Sequence, residues 1–326
     1  MRRMALLALL WAWAPWEGDA ATNVVRMGVP WSPGSKGMAD LQAAGREIAR
    51  QTAGRVQVKF AEGRDLESGP APCDGALLAG SALTRRSPVA GIYSLPLLTR
   101  SAGESARLRS WLEAPVAAEL EARGLSMIAL LDLGSAFLHS KGPVETVAQW
   151  KAARLWAPTE DPEALRMVEA YGLAPVPLEA SQVRAAWRGG AVDAAVVPPL
   201  GAIVLQWHGE VGSVSEVPLA ALCGAVALRT ESLAGLEAAD RAVLRDGLAR
   251  AFSAAADELR RKEPEALDVL ARNGVARHPL GSTPEQKAEW EAWAVAAADR
   301  LVAGGRIPGD ALARARQALA EFRAGP

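Results

Sequence analysis

The sequence predicts a mixed α/β protein with two similar lobes. The chain has 326 residues, about twice the usual size of one domain, so two lobes or one large α/β unit are expected. Apolar strand-like runs alternate with amphipathic helix-like segments near its start, and the same order of strand, loop, helix and strand recurs in its middle. Such alternation is typical of parallel sheets covered by helices. The recurrence favours two lobes over one undivided body.

The first strand–loop–helix–strand unit lies near the amino terminus. Residues 24–30 form an apolar run typical of a buried strand, and residues 56–60 alternate as a second strand. Between them, a helical period ends at Gly54. The loop 31–37 follows the first strand, where open α/β sheets bind ligands. The predicted helix face comprises Met38, Leu41, Gly45 and Ile48.

Strand and helix patterns continue toward the middle of the chain. We expect a short strand over 74–80, a helix over 106–123 and an apolar strand over 126–132. Residues 143–151 resemble a surface segment, and a further strand follows over 154–157. The second unit therefore begins at about residue 154.

Helix start and stop signals define the rest of this second unit. Asp161 and Pro162 predict a helix start, with Asp as N-cap and Pro at the first helical position. Gly172 closes that helix, and Ser181 is expected to cap a shorter one. The apolar run 192–197 then predicts a strand, so the order of the first unit is repeated.

The carboxyl-terminal third is predicted to be helical. Residues 236–259 carry an apolar stripe, and Pro264 is expected to kink or restart that helix. Two further helices follow, the last with Asp310 as its cap. Their apolar faces comprise Trp290, Trp293, Ala297 and Leu301, and then Leu312, Ala315, Leu319 and Phe322.

The first 20 residues predict a cleavable export signal. Arg2 and Arg3 precede the uncharged apolar run Met4–Ala14, and small residues follow at Ala20 and Ala21. The run is too short to span a bilayer as a helix, although an uncleaved anchor remains the alternative. No cysteine follows it directly, which argues against a lipid anchor. We therefore expect an exported, periplasmic protein.

Composition and motifs give no support for an enzyme, a cofactor or a nucleic-acid partner. The net charge is −1, so nothing attracts the chain to nucleic acid. No nucleophile elbow, metalloprotease helix or phosphate-binding loop is present. His139, His208 and His278 are scattered, so a metal site is not expected. Cys73 and Cys223 either pair or stay as buried thiols, and the sequence leaves both open.

The stretch 147–199 resembles the DctP-type substrate-binding proteins of TRAP (tripartite ATP-independent periplasmic) transporters. The matching runs are WKAARLWAP at 150–158 and YGLAPVPL at 171–178, followed by 183–187, Gly190 and Val192-Asp193. The resemblance implies a two-lobed, type II-like periplasmic-binding-protein fold joined by crossing strands. It also implies that the long helix braces both lobes, and that the protein binds a small molecule and delivers it to a TRAP permease without being an enzyme. We expect lobe I to comprise 21–132 and about 225–268, and lobe II 133–224 and about 269–326.

The sequence departs from this family where the ligand is bound. The family usually has an Arg that clamps a substrate carboxylate at the end of the strand 154–156, where this chain has Trp156. A second family Arg, expected near Ser135 or Ala136, is missing, and apolar 195–197 replaces a polar triplet. We expect a hydrophobic or amphipathic ligand. The pocket is predicted to comprise Trp31, Phe137, Trp156, Val197, Pro198 and Trp207, with Ser135 and Gln206 as polar groups.

Several alternatives stay open at this stage. Trp156 could simply pack the lobe while Arg26, Arg100 or Arg154 holds a carboxylate, and a cation stacked on Trp156 and Trp31 is another arrangement. Trp187 and Trp150 are expected to be core residues. The charge-poor pocket is similar to that of a TRAP subgroup with tetratricopeptide-repeat partners. A receptor for an ABC importer and a scaffold without a ligand are the competing functions.

Overall fold

The computed structural model describes residues 22–63, 66 and 73–325, and shows a mixed α/β fold around a long, twisted sheet. The strand order is β2-β1-β3-β9-β4-β7-β5-β6, with β8 and β10 added beside β4. The strands are β1 (Asn23–Val29), β2 (Val56–Glu62), β3 (Gly75–Ala79), β4 (Leu125–Ser140), β5 (Leu155–Pro158), β6 (Pro175–Leu178), β7 (Ala194–Val197), β8 (Ser213–Ser215), β9 (Ala220–Arg229) and β10 (Ala276–His278).

Helices cover the sheet, and most follow the predicted pattern. The first helix buries the face that was predicted from its period, and Asp161 with Pro162 starts the fifth. The helices are α1 (Lys36–Gln51), α2 (Gly80–Thr84), α3 (Ala102–Glu121), α4 (Val147–Ala152), α5 (Pro162–Ala170), α6 (Ala180–Gly189), α7 (Pro199–Val204), α8 (Thr230–Ala234), α9 (Ala238–Arg272), α10 (Pro284–Ala303) and α11 (Gly309–Ala324).

Strand β4 connects the two halves of the sheet. Its first part pairs with β9, up to the pair Ala136↔Ala220, and its last part pairs with β7, starting at Phe137↔Val197. The first half also contains β1, β2 and β3, and the second contains β5 and β6. The register of β4 against β9 shifts between Asp132 and Ser135, and Gly134 there has a φ of 93°. This bulge lies where the chain passes from one half to the other.

Helix α9 braces both halves, as the family resemblance implied, but it is longer than predicted. Phe252 and Ala256 pack in the core of the first half, whereas Leu267 and Leu270 pack in the core of the second. Pro264 was predicted to kink or restart the helix, and the restart is wrong, because the helix continues through this residue. Packing against both halves holds the backbone on either side of the missing N–H donor.

Helices α10 and α11 differ from the expected division of the chain. Trp290 and Trp293 of α10 pack with the second half, whereas Leu301 packs with the first. Helix α11 lies against α3, and its Leu312 and Leu319 belong to the core of the first half. The assignment of about 269–326 to lobe II therefore fails for α11, because an apolar helix face does not show which sheet it covers.

Three local predictions are corrected. The segment 143–151 contains helix α4, whose Val147 and Trp150 are buried. The N-cap of α6 is Glu179 rather than Ser181, and that of α11 is Pro308 rather than Asp310. For both caps the observed residue lies two residues before the predicted one, within the usual uncertainty of helix boundaries.

The two cysteines are buried and are not joined by a disulfide in the described structure. Cys73 precedes β3, whose Gly75 pairs with Leu228. Cys223 lies five residues before Leu228 on β9, which places it about 17 Å from Leu228 at the usual rise of a strand. A disulfide requires Cα atoms within about 7 Å. Burial raises the pKa of the Cys223 thiol to about 12, which keeps it protonated.

Candidate functional site

The candidate site is the cleft between the two halves, where strands from both sides end. On one side β3 ends at Ala79, level with Leu131 of β4. On the other side β7 ends at Val197, level with Phe137. The floor of the cleft is therefore the crossing segment 132–136. Carboxyl ends of strands at such a position bind ligands in open α/β sheets.

The two halves touch across this cleft. The Ser81 hydroxyl of α2 donates a hydrogen bond to the Asp161 carboxylate, which also caps α5. Arg85 donates to the same hydroxyl at 3.2 Å. Since α2 belongs to the first half and α5 to the second, this contact favours a closed arrangement of the lobes.

The predicted aromatic residues of the second half come together in one cluster. Trp156 meets Trp207 edge-on, with ring centroids 5.1 Å apart, and Trp207 lies 6.0 Å from Trp187. Trp207 is fully buried, whereas Trp156 is half-buried and donates its indole N–H to the Leu178 carbonyl at 2.9 Å. Phe137 and Val197 belong to the same cluster. The structure therefore brings four of the predicted residues together.

Trp31 lies on the opposite side, in the loop after β1. Its ring packs against Phe252 of α9 at 6.2 Å, and it stays half-buried. The ring also covers Gly37, where a Cβ atom would lie 2.4 Å from the indole. The absence of a side chain at Gly37 therefore positions the Trp31 ring against α9.

The remaining predicted residues have different surroundings. Ser135 is half-buried on the crossing segment, and Pro198 precedes α7 at the end of β7. Gln206 is exposed, has a φ of 57° and accepts a hydrogen bond from Arg184 at 3.2 Å. Of the two predicted polar residues, Ser135 lies on the crossing segment, whereas Gln206 lies at the surface.

The arginines that were considered as alternative carboxylate anchors are engaged elsewhere. Each forms an ion pair with an acidic side chain of its own neighbourhood. The pairs are Arg26 with Asp74 at 3.8 Å, Arg100 with Glu291 at 2.7 Å and Arg154 with Asp193 at 2.7 Å. Arg154 also precedes β5, at the end of that strand away from the cleft. Each of these three guanidinium groups thus already has an acidic partner.

One acidic residue at the crossing was not predicted. Glu263 of α9 accepts a hydrogen bond from the Ser135 backbone N–H at 2.7 Å. Burial raises the pKa of its carboxyl, the Asp132 charge adds to this rise, and the Ser135 N–H opposes it. A Glu before a Pro inside a helix pattern was the only sequence signal, and it does not reveal which strand the side chain meets.

Five surface cavities have volumes of about 230 to 500 Å³. None of the eight predicted site residues lines these five cavities. Across the described ranges no group of three or more acidic, His or Cys side chains is arranged to hold a metal ion. The same ranges contain no helix long and apolar enough to cross a membrane. The predicted signal segment lies outside the described residues.

Comparison with known proteins agrees with this architecture. An extracytoplasmic solute receptor of Bordetella pertussis that binds pyroglutamic acid is 22% identical, over 90% of this chain and 99% of its own, with a TM-score of 0.74. A TRAP periplasmic solute-binding protein from Desulfovibrio salexigens with bound orotic acid is 18% identical, over 92% and 99%, with a TM-score of 0.74. One from Ralstonia eutropha with bound (S)-2-acetolactate is 17% identical, over 92% and 99%, with a TM-score of 0.76.

These similarities confirm the two-lobed fold that the sequence predicted. The family model of bacterial extracellular solute-binding proteins, family 7, matches residues 46–303. This range includes the crossing strand β4, the tryptophan cluster and the whole of α9. The chain therefore belongs to the DctP family of bacterial extracellular solute-binding proteins.

Proposed function

We propose that this protein is an exported solute receptor that captures a small hydrophobic or amphipathic molecule in the interlobe cleft. Members of the family are substrate-binding receptors, and the proposal adds that this one delivers its ligand to a TRAP permease. Contacts with both lobes stabilise the closed form by their differential free energy. The ligand's affinity thus controls how much closed receptor is available to the permease.

The observation that supports this ligand class is Trp156 at the position where the family usually has a carboxylate-binding Arg. Arg26, Arg100 and Arg154 each form an ion pair with a carboxylate, and we infer that none of them replaces it. A carboxylate buried against the Trp156 ring without a cationic partner would be penalised by several kcal/mol. The related receptors bind organic acids, and we infer that this receptor differs from them.

The proposed binding surface has two layers. Trp31, Ser135, Trp156 and Pro198 are half-buried and contact the ligand directly. A second set supports them from behind or at the rim, and comprises Phe137, Val197, Gln206 and Trp207. Large aromatic surface with few polar groups suits an apolar ligand.

Native mass spectrometry of gently purified protein tests the ligand class. We expect an apolar or amphipathic molecule to remain bound, since a closed cleft releases it slowly. Recovery of a dicarboxylate or a similar anion would support the alternative, an organic-acid receptor with a non-standard anchor for a TRAP or ABC importer. A folded protein that never carries or binds any small molecule would support a ligand-free scaffold.

Replacing Trp156 with Arg tests the site directly. We expect binding of the co-purified ligand to weaken by about tenfold or more, because an indole surface is lost and a charge enters an apolar wall. Titration calorimetry measures the change, and circular dichroism checks folding. Trp156→Phe is the matched control, which keeps an aromatic ring and should lose less affinity. Unchanged binding in Trp156→Arg would place this residue outside the pocket.

Export and partners complete the proposal. We expect the mature protein to begin just after Ala20 or Ala21, which amino-terminal sequencing of periplasmic protein determines. The sequence resemblance alone suggests a periplasmic tetratricopeptide-repeat partner. Co-purification from periplasm tests that partner, and recovery of the permease subunits alone would argue against it.

A further inference from the structure

Two polar contacts join the halves of the protein outside the strands that cross between them. In the first, the Ser81 hydroxyl of α2 donates a hydrogen bond to the Asp161 carboxylate. In the second, Arg306 Nη1 lies 2.7 Å from both carboxylate oxygens of Glu163. Asp161 and Glu163 flank Pro162 at the start of α5. Both contacts therefore end on one helical turn of the second half.

The partners of this turn belong to the first half. Ser81 lies on α2, directly after β3. Arg306 lies in the turn between α10 and α11, and the next residue, Ile307, packs in the core of the first half. A rigid-body opening of the halves would therefore separate both pairs of residues, and closure would form them again.

The ion pair between Glu163 and Arg306 is partly protected from water. The Glu163 side chain is only 11% exposed, and that of Arg306 is 41% exposed. Arg166 also donates to the Glu163 carboxylate, at 3.0 Å. Charge-assisted hydrogen bonds to a buried carboxylate are stronger than those between neutral groups, and salt screens them less than it screens exposed pairs. The pair therefore contributes more to closure than an exposed ion pair of the usual kind.

The surfaces around this ion pair are not packed like a core. A surface cavity of about 360 Å³ lies between the two halves at this place. Residues from both halves line it, and they include Thr84, Pro88, Glu163, Met167, Arg306 and Ile307. Protein cores are close-packed and contain few voids of this size, whereas interfaces between mobile domains are more polar than cores. Polar contacts beside a cavity thus indicate surfaces that can separate.

We propose that these two contacts, Ser81 with Asp161 and Arg306 with Glu163, form an interlobe latch that holds part of the receptor closed in the absence of ligand. The latch residues lie outside the proposed binding surface, so this inference depends on the two-lobed fold and not on the ligand class. A ligand that prefers the closed form binds more tightly when that form is already populated. Arg306 therefore increases affinity without contacting the ligand.

A purely structural role is the alternative, in which Arg306 only fixes the turn between α10 and α11. Replacing Arg306 would then lower the stability of the fold and leave the arrangement of the halves unchanged. Arg306→Gln distinguishes the two roles. Because Arg166 remains as a partner for Glu163, the substitution leaves no buried charge unpaired, and the fold is expected to survive it.

Pulsed electron paramagnetic resonance between two spin labels measures the arrangement of the halves. Ala43 on α1 and Ala185 on α6 are exposed positions, one in each half, and both are replaced by Cys for labelling. Cys73 and Cys223 are buried, so they should not react with the label. Unfolding in urea and refolding removes any co-purified ligand, which native mass spectrometry verifies. The separation of the two positions in the present structure identifies the closed population.

In ligand-free protein we expect a closed-to-open ratio that is about fivefold lower in Arg306→Gln than in the wild type. Arg306→Lys keeps the charge but loses the planar guanidinium, and should give an intermediate ratio. Ser81→Ala, which leaves Asp161 to cap α5, should also lower the ratio. Arg314→Gln is the matched control, because it removes an exposed ion pair with Asp310 on α11, and it should leave the ratio unchanged.

Salt gives a second readout. Because Arg306 is partly exposed, about 1 M NaCl should lower the closed-to-open ratio more in the wild type than in Arg306→Gln. A ligand-free wild type without a closed population, or an equal ratio in Arg306→Gln and wild type, would overturn the latch and leave the proposed ligand class intact. A lower urea midpoint in Arg306→Gln with an unchanged ratio would likewise overturn it and assign Arg306 a structural role.

Discussion

Replacing Trp207 with Ala is expected to destabilise the protein by about 3 to 5 kcal/mol, the usual cost of removing a large aromatic side chain from a core. The ring is fully buried and lies between Trp156 and Trp187. Its removal leaves a cavity that the two remaining indoles cannot fill without leaving their positions. Urea denaturation followed by circular dichroism measures the loss, as a lower midpoint.

The neighbouring Val204 is a suitable control. It precedes the same turn but is 71% exposed, so Val204→Ala should change stability by about 0.5 kcal/mol or less. A large loss of ligand binding in Trp207→Ala without loss of stability would contradict the structure. It would mean that Trp207 contacts the ligand and is not buried in the tryptophan cluster of the free receptor.

This prediction matters for binding because the proposed wall depends on the core behind it. Trp156 is half-buried and meets Trp207 in an edge-to-face arrangement, with ring centroids 5.1 Å apart. An edge-to-face pair contributes about 0.5 to 1.5 kcal/mol beyond burial of its area. A loosened Trp156 would lose rotamer order, and ligand binding would have to restore it.

Much of the fold could be predicted because periodicity and capping act locally. The face of α1 follows from four apolar positions and a glycine stop, and the structure buries those four residues. The start of α5 follows from Asp161 and Pro162, each of which satisfies a requirement of a first helical turn. Both signals need no knowledge of the rest of the chain.

The elements that could not be predicted depend on distant partners. Strand β9 lies in the middle of the first half, but its run of small apolar residues does not distinguish a buried strand from a buried helix. Helix α9 continues through Pro264 because two separate cores hold it. The packing of α11 on α3 likewise depends on a surface that is distant in sequence.

The candidate site shows the same limit. Sequence comparison identified Trp156 as unusual, and the structure brings it together with Phe137, Val197 and Trp207. The degree of burial of each ring could not be predicted, since a tryptophan suits both a core and a pocket wall. Glu263 was missed because a single carboxylate on a helix is usually solvated. Its contact with Ser135 beside the bulge at Gly134 is visible only in three dimensions.

Acid is expected to weaken the second half of the protein through His139. This ring is fully buried on β4, and its Nε2 lies 3.2 Å from the Val197 carbonyl. Burial lowers its pKa to about 4, and the hydrogen bond to Val197 only partly opposes this effect. The unfolded chain therefore binds a proton at His139 near pH 6.5, whereas the folded chain binds it only near pH 4.

The sign of this linkage sets the expected result. The contribution of His139 is fully present above pH 6.5, decreases as the pH falls, and is lost by about pH 4, with a total of about 3 kcal/mol. Urea unfolding at pH values from 7.5 to 4 measures the slope. His278, which is also buried with a lowered pKa, acts in the same direction, so the wild-type slope exceeds the share of one histidine.

His139→Gln isolates the share of His139. The Gln amide can still donate to the Val197 carbonyl but does not titrate. Between pH 6.5 and 4, the slope of the free energy of unfolding against pH should therefore be smaller in the variant by the contribution of about one proton. His208→Gln is the control for the substitution itself, because that ring is only half-buried. An equal slope in His139→Gln and wild type would contradict this prediction, because it would mean that folding does not lower the pKa of His139.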